Sequence, residues 1–322
     1  MKKTILTLAI SILCLGLASF LFSLEKDSNK TSHQASTSLI NVEPAKLPSA
    51  KDIFLTTSLN PNFIPVRDWS IKEPEIKARA GVVFDWNGEK FLYQKNIKNK
   101  LPIASLTKIM TAIVALENLG LEDIITISRK AVMTEGENGR LIISEKLSVR
   151  NLIYIMLIES SNDAAVALAD AVDDDFVALM NKKAKEIGLE NTHFVDATGI
   201  SKWNYSTIFD LTQLAKYSFN KSFTSSEAGL IWQILGIREI EIRSEDKEIS
   251  HNLVNTNKLL DEIPEMIGGK TGFTNEAGNC MLTIVEIPEK PGKYLITVIL
   301  GTEDRELETK KLIEWAQKAY IW

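Results

Sequence analysis

The run Pro102-Ile103-Ala104-Ser105-Leu106-Thr107-Lys108-Ile109-Met110-Thr111-Ala112 is the stretch from which the rest of the chain is interpreted. Apolar residues continue on nearly every face as far as Leu116, which predicts a helix inside a domain. Ser105 and Lys108 interrupt the apolar pattern, and their i, i+3 spacing places them on one face of the helix. A serine becomes a nucleophile when a base takes its proton, and a desolvated lysine near a second cation can be that base.

The Ser-x-x-Lys spacing is a weak signal by itself, because the chain contains it at Ser23/Lys26, Ser105/Lys108, Ser218/Lys221 and Ser244/Lys247. Two later triplets support a catalytic interpretation of the Ser105/Lys108 pair. Ser160-Ser161-Asn162 matches the common pattern Ser-x-Asn, and Lys270-Thr271-Gly272 is the one Lys-Thr-Gly in the chain. The ordered set predicts an active site assembled from three separate segments.

With these motifs the chain resembles the low-molecular-mass penicillin-binding proteins that are serine-type D-alanyl-D-alanine carboxypeptidases, peptidase family S11. The resemblance covers roughly residues 78–315. Besides the run around Ser105, it rests on Ser161-Asn162-Asp163-Ala164-Ala165, Asn191-Thr192-His193-Phe194, Asn255-Thr256-Asn257-Lys258-Leu259-Leu260 and Gly269-Lys270-Thr271-Gly272-Phe273-Thr274.

The resemblance implies four catalytic residues. Ser105 is the nucleophile and Lys108 is its base, while Ser160 relays a proton to the departing amine and Asn162 holds Lys108 and the substrate amide in place. Family members mostly have glycine between the last two positions. Here Ser161 stands there, and we expect its side chain to narrow the cleft. A helix cap is the competing interpretation of the triplet.

The resemblance also implies how substrate is bound. Lys270, Thr271 and Gly272 are expected on the strand that edges the cleft, where a cation and a hydroxyl suit a substrate that ends in a free carboxylate. The backbone N–H of Phe273, with that of the nucleophile, is the implied oxyanion hole. Arg305 matches an arginine that binds carboxylate, although a helix-terminal surface arginine is the alternative.

Strand patterns at both ends of the domain flank a mainly helical middle. The predicted strands are 80–86 and 90–94, joined by the hairpin signal Asn87-Gly88-Glu89, and 280–287 and 294–300. The predicted helices are 149–158, 163–172, 174–187, 207–219 and 305–320. This layout indicates an α+β fold, in which an antiparallel sheet of N- and C-terminal strands packs against an inserted helical cluster. The resemblance implies the same β-lactamase/transpeptidase-like fold.

The N-terminus has the pattern of a membrane segment. Lys2 and Lys3 precede an uncharged run of 21 residues, 4–24, which is long enough to span a bilayer. We expect residues 1–24 to be a retained signal anchor with the catalytic domain outside the cytoplasm. The alternative is a signal peptide cleaved after Ala18 or Ser19, which would leave a secreted or periplasmic protein. Residues 25–74 are predicted to be a polar tether, and 75–322 the catalytic domain.

Composition argues against several other classes. A net charge of −5 gives no electrostatic reason to expect nucleic acid as a partner. The three histidines and two cysteines lie far apart and show no zinc spacing, so neither a metal nor another cofactor is predicted.

The resemblance therefore implies a peptidase that cleaves between the two terminal D-alanines of peptidoglycan stem peptides. It would form an acyl-enzyme on Ser105, and β-lactams would acylate the same serine. A β-lactamase is disfavoured, because no Glu-x-x-Leu-Asn run lies between Asn162 and Lys270. An endopeptidase or transpeptidase acting on cross-links, or a wall-binding protein without turnover, remains an alternative. Asp196-Ala197-Thr198-Gly199 falls where relatives often have an Asn-Pro-His-Gly-like loop and receives no role.

Overall fold

The computed structural model describes residues 65–136, 140–172, 175–224 and 229–322. The strands are β1 (Val66–Arg67), β2 (Ala80–Asp85), β3 (Lys90–Lys95), β4 (Leu101–Pro102), β5 (Ile124–Thr126), β6 (Lys146–Ser148), β7 (Tyr205–Ser206), β8 (Glu239–Arg243), β9 (Ser250–Val254), β10 (Met266–Thr274), β11 (Gly278–Ile287), β12 (Lys290–Thr302) and β13 (Tyr320–Ile321). The helices are α1 (Thr107–Asn118), α2 (Arg129–Val132), α3 (Val149–Ile158), α4 (Asn162–Asp170), α5 (Phe176–Glu186), α6 (Ile208–Thr224), α7 (Leu230–Leu235) and α8 (Arg305–Ala319), and 3-10 turns span Ala104–Leu106 and Lys258–Leu260.

A five-stranded antiparallel sheet organises this part of the chain, with the strand order β10-β11-β12-β2-β3. The first two strands of this sheet in sequence form the β2–β3 hairpin, and β2 pairs with β12, which comes late in the chain; Asp85 lies opposite Leu295. The helices α1 to α7 are inserted between the two groups of strands. The predicted α+β fold with a sheet built from both ends of the domain is confirmed.

The sheet is buried on both faces because its strands alternate between two apolar cores. Val82 and Val298 belong to the large core shared with the inserted helices, whereas Val83 and Leu295 pack with Leu312 of α8. The two-residue period of a strand sends neighbouring side chains to opposite faces, so one apolar run serves both cores. Helix α1, which lies in the large core, is thereby fixed against the sheet.

The predicted hairpin between β2 and β3 is present, but its turn is built by Asp85. The Asp85 carboxylate accepts hydrogen bonds from the N–H groups of Asn87 and Gly88, each at 3.1 Å. The residue in the left-handed region is Glu89, with φ of 50°. Asparagine-glycine turns of the expected type need positive φ at both central residues, so the sequence signal gave the hairpin and not its turn geometry.

The predicted boundary between tether and domain differs from the structure. Residues 66 and 67 form β1 and pair with β13, so that Val66 lies opposite Ile321. Arg67 stacks its guanidinium 4.8 Å from the centre of the Trp315 ring and donates to the carbonyl of Ala319 at 3.3 Å. The folded region thus includes residues assigned above to the tether.

Within the described ranges, no helix has both the length and the apolar character needed to cross a membrane. The predicted membrane segment, residues 1–24, and most of the predicted tether lie outside those ranges.

Candidate active site

Ser105 lies in a 3-10 turn that leads directly into α1. The turn begins with Ala104 in the left-handed region, at φ of 47°, a conformation that is uncommon for a residue with a Cβ atom. The Nζ atom of Lys108 lies 2.8 Å from the Ser105 Oγ atom. The i, i+3 spacing predicted from the sequence therefore places the amine beside the hydroxyl.

Lys108 is fully buried and its amine is held by oxygen atoms of the site. Besides Ser105 Oγ, the Nζ atom bonds to Asn162 Oδ1 at 2.7 Å and to the carbonyl oxygen of Thr198 at 2.7 Å. The Asn162 side chain is oriented in turn, because its Nδ2 atom donates to the carbonyl of Glu135 at 3.0 Å. These oxygen atoms fix the position of the lysine nitrogen.

The three residues of the Ser-Ser-Asn triplet point in different directions. Ser160 adopts φ of 65°, and its Oγ atom accepts a hydrogen bond from the Lys270 Nζ atom at 2.8 Å. Ser161 is fully buried and caps α4, where its Oγ atom accepts from Ala164 N at 3.1 Å. The expectation that Ser161 narrows the cleft is therefore not met, since its hydroxyl is used as the helix cap.

Strand β10 is the edge strand of the sheet and carries the Lys-Thr-Gly triplet. A Cβ atom on Gly272 would lie 2.9 Å from the backbone nitrogen of Ser105 and 3.1 Å from the Ala104 Cβ atom, so this position brings the strand unusually close to the Ser105 turn. Thr271 Oγ1 is 2.6 Å from Thr256 Oγ1. The strand and the Ser105 turn thus form one continuous wall.

A cleft of about 760 Å³ lies between β10 and the inserted helices. Its walls include Ser105, Ser160, Asn162, Thr271, Gly272, Phe273 and Arg305. The Arg305 guanidinium donates to the Gly272 carbonyl and to Asn279 Oδ1, both at 3.3 Å, and pairs with the Glu306 carboxylate at 3.0 Å. Arg305 therefore reaches the cleft wall while held by its own neighbours.

A buried carboxyl group lies next to this site. Asp163 follows Asn162 in the first turn of α4 and is almost completely buried, and burial raises its pKa to about 6. The N–H of Leu141 acts in the opposite direction as a hydrogen-bond donor. The ionised carboxylate is disfavoured because the apolar surroundings solvate it poorly.

The structure brings together all nine site residues named from the sequence, and it adds others. Thr256 and Lys258 line the cleft from the segment before β10, and Ile200 lines it from the loop after Thr198. The Thr198 carbonyl was missed because a backbone acceptor carries no residue-type signal. Thr256 belonged to a quoted run, but its side chain received no role.

Comparisons with known proteins agree with this geometry. The family model for D-alanyl-D-alanine carboxypeptidases, peptidase S11, matches residues 68–304. The D-alanyl-D-alanine carboxypeptidase DacF of Bacillus subtilis is 32% identical over 260 residues, which are 76% of this chain and 63% of that protein. The D-alanyl-D-alanine endopeptidases of Pseudomonas aeruginosa and Escherichia coli are each 31% identical over 256 residues, 77% of this chain and 80% of each relative.

Solved structures show the same fold. The crystal structure of the Streptomyces K15 DD-transpeptidase has a TM-score of 0.69 and 29% identity, and the match covers 76% of this chain and 98% of that one. The D-alanyl-D-alanine carboxypeptidase DacD from Francisella tularensis has a TM-score of 0.67 and 28% identity, with 80% and 75% coverage. With the family model spanning residues 68–304, the chain belongs to the S11 family of serine peptidases, the D-alanyl-D-alanine carboxypeptidase family.

Proposed function

We propose that this chain is a D-alanyl-D-alanine carboxypeptidase that removes the terminal D-alanine of peptidoglycan stem peptides through an acyl-enzyme on Ser105. The observation that carries the proposal is the contact of 2.8 Å between Ser105 Oγ and the Nζ atom of the fully buried Lys108. A hydroxyl held by a buried amine at the wall of a cleft is an arrangement in which a base can activate a serine nucleophile.

In the acylation step, Lys108 takes the Ser105 proton as the oxygen attacks the carbonyl carbon of the penultimate D-alanine. The backbone N–H groups of Ser105 and Phe273 stabilise the resulting oxyanion. The C–N bond then breaks, and the departing nitrogen takes the hydroxyl proton of Ser160. Lys270, whose Nζ atom donates to Ser160 Oγ at 2.8 Å, replaces that proton.

Deacylation returns both protons. Water attacks the ester carbon and gives a proton to Lys270 by way of Ser160, and Lys108 returns its proton to Ser105 as the acyl group leaves. Asn162, which bonds to Lys108 at 2.7 Å, keeps the base in place throughout. The terminal carboxylate of the substrate is assigned to Thr271 and Arg305, with Lys270 as the nearby positive charge.

Penicillin should acylate Ser105 and leave slowly. The chain lacks a Glu-x-x-Leu-Asn run between Asn162 and Lys270, so the glutamate that activates the deacylating water in class A β-lactamases is not supplied by that motif. The ligands expected for this site are therefore stem peptides that end in D-Ala-D-Ala, as substrates, and β-lactams, as acylating inhibitors.

Endopeptidase activity on wall cross-links is the second candidate function. It is favoured by the relatives from Pseudomonas aeruginosa and Escherichia coli, which are named D-alanyl-D-alanine endopeptidases and match over 80% of their length. The same residues would perform the same acyl transfer, and the substrate would differ in carrying a second peptide beyond the bond that breaks.

One assay on the full-length protein in detergent separates these functions. D-alanine release from a peptide ending in D-Ala-D-Ala is measured beside cleavage of a cross-linked muropeptide dimer, with Ser105→Ala as the control. Release of D-alanine by the parent and its loss in Ser105→Ala is the expected result. Cleavage of the dimer alone would support the endopeptidase, whereas the absence of both activities and of penicillin labelling would support the wall-binding protein.

We also propose that residues 1–24 anchor the protein in the membrane, with the catalytic domain outside the cytoplasm. Lys2 and Lys3 before the uncharged run 4–24 support this orientation. Membrane fractions washed with alkaline carbonate should retain the protein, and its N-terminal sequence should begin before residue 18. A mature N-terminus after Ala18 or Ser19 would replace the anchor by a cleaved signal peptide.

A further inference from the structure

A single peptide group joins the Asp196 carboxylate to the amine of Lys108. The N–H of Gly199 donates to Asp196 Oδ1 at 2.7 Å. The carbonyl of that same peptide group, Thr198 O, accepts from Lys108 Nζ at 2.7 Å. Hydrogen bonds therefore run without interruption from a carboxylate, through one amide, to the nitrogen that bonds Ser105 Oγ.

The loop is folded around this carboxylate. Asp196 Oδ1 also accepts from the Thr198 N–H at 2.8 Å and from the Thr198 hydroxyl at 2.7 Å, and Oδ2 accepts from Ser201 N at 3.1 Å. The fully buried Asn204 holds the backbone of Asp196, accepting from its N–H at 3.2 Å and donating to its carbonyl at 2.9 Å. These bonds fix the direction in which the carboxylate faces.

The same peptide group is pressed against the turn that carries the nucleophile. Gly199 has φ of 89°, and a Cβ atom there would lie 2.0 Å from the carbonyl oxygen of Ala104. A peptide group bonded at both ends and packed on this turn has little freedom to reorient. Its dipole therefore keeps the N–H on Asp196 and the carbonyl on Lys108.

We propose that Asp196 is a positioning residue for Lys108, acting through the peptide group between Thr198 and Gly199. The charged acceptor strengthens the Gly199 hydrogen bond and polarises the amide, which makes the Thr198 oxygen a better partner for a cation. Lys108 becomes that cation when it takes the Ser105 proton, so Asp196 stabilises the ammonium form at this step. The inference rests on the proposed function only in taking Lys108 as the base.

Other ionisable groups surround this chain of hydrogen bonds. Lys270 donates to Ser160 across the site, and Asp163 follows Asn162, which bonds to Lys108. Both remain unchanged in the variants proposed below. A difference between parent and variant therefore reports the charge at position 196.

The test measures the rate constant for acylation by a fluorescent penicillin as a function of pH, in full-length parent and Asp196→Asn. The variant keeps the Oδ1 acceptor and loses the charge. We expect the acylation rate constant on the high-pH plateau to fall roughly tenfold in the variant. Lys108 would be a weaker base there, because its protonated form is less well stabilised. The acid limb should move to lower pH, because an amine without the nearby negative charge loses its proton more readily. The dissociation constant of the initial penicillin complex should not change.

Asp210→Asn is the matched control. Asp210 is an aspartate that likewise accepts backbone and hydroxyl hydrogen bonds, from Asn191 N at 2.7 Å and from Thr192 Oγ1 at 2.8 Å. It is buried, whereas Asp196 is half-buried, and it holds the other end of the same segment by contacts remote from the 198–199 peptide group. Its pH profile should keep the parent's acid limb. Asp196→Ser, with a neutral oxygen acceptor, serves as a second charge-removing variant if circular dichroism shows that Asp196→Asn is unfolded.

If the acylation rate of Asp196→Asn fell by the same factor at every pH and the acid limb did not move, the proposal would be overturned. Asp196 would then only stabilise the conformation of its loop. An unchanged rate would overturn it as well. The test uses acylation by penicillin and not the release of D-alanine. It therefore remains valid even if the protein proves not to be a carboxypeptidase. A parent whose Ser105 is not acylated by penicillin would overturn both.

Discussion

At the scale of single residues, Ala104 and Gly199 share a space that admits no further carbon atom. Ala104 has positive φ, and the glycine opposite it leaves room for the Ala104 carbonyl. The strained backbone of Ala104 persists because contacts with the surrounding residues hold it in this conformation. The geometry of the nucleophile therefore depends on a residue that carries no functional group.

Gly199→Ala should reduce the rate of penicillin acylation by about a hundredfold, because the new Cβ atom displaces the Ser105 turn. Gly188→Ala is the control, since Gly188 also has positive φ, 77°, but its Cβ position has no neighbour within 4 Å. The left-handed backbone should lower the unfolding free energy of Gly188→Ala by about 1–2 kcal/mol, and Gly199→Ala should lose more because its Cβ atom also clashes with Ala104. Equal acylation rates in the two variants would show that the turn does not need this space.

Asp163 predicts a pH dependence of stability. Its folded-state pKa of about 6 lies above the ordinary value of 3.8. Between these two pH values the folded protein therefore keeps a proton on Asp163 that the unfolded chain has released. The stabilisation from this group is complete below pH 3.8 and is lost as the pH rises through 6. Asp163→Asn cannot ionise and should not show this loss.

We therefore expect the unfolding free energy of Asp163→Asn, relative to the parent, to rise between about pH 4 and 6 by on the order of 1–3 kcal/mol. Urea titrations across that range measure the difference. Parallel curves for parent and variant would mean that the carboxyl ionises normally in the folded protein.

At the scale of elements, neighbouring serines of the Ser160-Ser161-Asn162 triplet have different functions: Ser160 belongs to the site, and Ser161 caps α4. Ser161→Ala should cost about 1 kcal/mol of stability and change the acylation rate less than about twofold, because its hydroxyl bonds to Ala164 N and not to the site. Ser148→Ala, which removes the equivalent cap from α3, should cost a similar amount. Ser161→Gly restores the residue common in relatives, and a large change in its acylation rate would show that Ser161 shapes the cleft after all.

The elements that the sequence predicted well are those whose pattern is local. Helix α3 runs from Val149 to Ile158 as predicted, since it is strongly apolar and begins at a serine cap. The β8–β9 hairpin was missed even though Glu239-Ile240-Glu241-Ile242-Arg243 alternates in the manner of a strand. Helix α7 was missed because six residues form a helix through burial of Ile231, Trp232 and Ile234 and not through propensity.

The residues of the candidate site were predicted from motifs and not from local secondary-structure patterns. Ser105, Lys108 and Lys270 were found because their ordered motifs resemble those of the penicillin-binding proteins, and the residue types of a motif are visible in a sequence. The Thr198 carbonyl, and the separation of Ser160 from Ser161, depend on backbone conformation that is fixed by contacts with distant segments. Such features have no residue-type signature and required the structure.

At the scale of the whole molecule, Arg67 joins the first and last elements of the described region. Its guanidinium lies over the rings of Trp315 and Tyr320, at 4.8 and 5.3 Å, and donates to backbone carbonyls of Ile71 and Ala319. These contacts connect β1 to α8 on the side of the sheet that packs against α8.

Arg67→Ala should lower the unfolding free energy by about 1–3 kcal/mol, through lost stacking and hydrogen bonds, and leave acylation by penicillin unchanged. Arg67→Lys should recover less than half of the loss, because an ammonium cannot make the same planar contacts. Lys72→Ala, in the same segment, is the control, and denaturation in urea is the measurement. A loss of acylation in Arg67→Ala would mean that this end of the molecule communicates with the cleft.

The strand order also has a consequence for how the protein is made. A ribosome releases the β2–β3 hairpin long before it has synthesised β12, the strand with which β2 pairs. Until then β2 can pair only with β3, and the large core lacks the residues that β12 contributes to it. The five-stranded sheet can therefore be completed only after β12 has been synthesised, and until then the apolar side chains of β2 lack their partners on that strand.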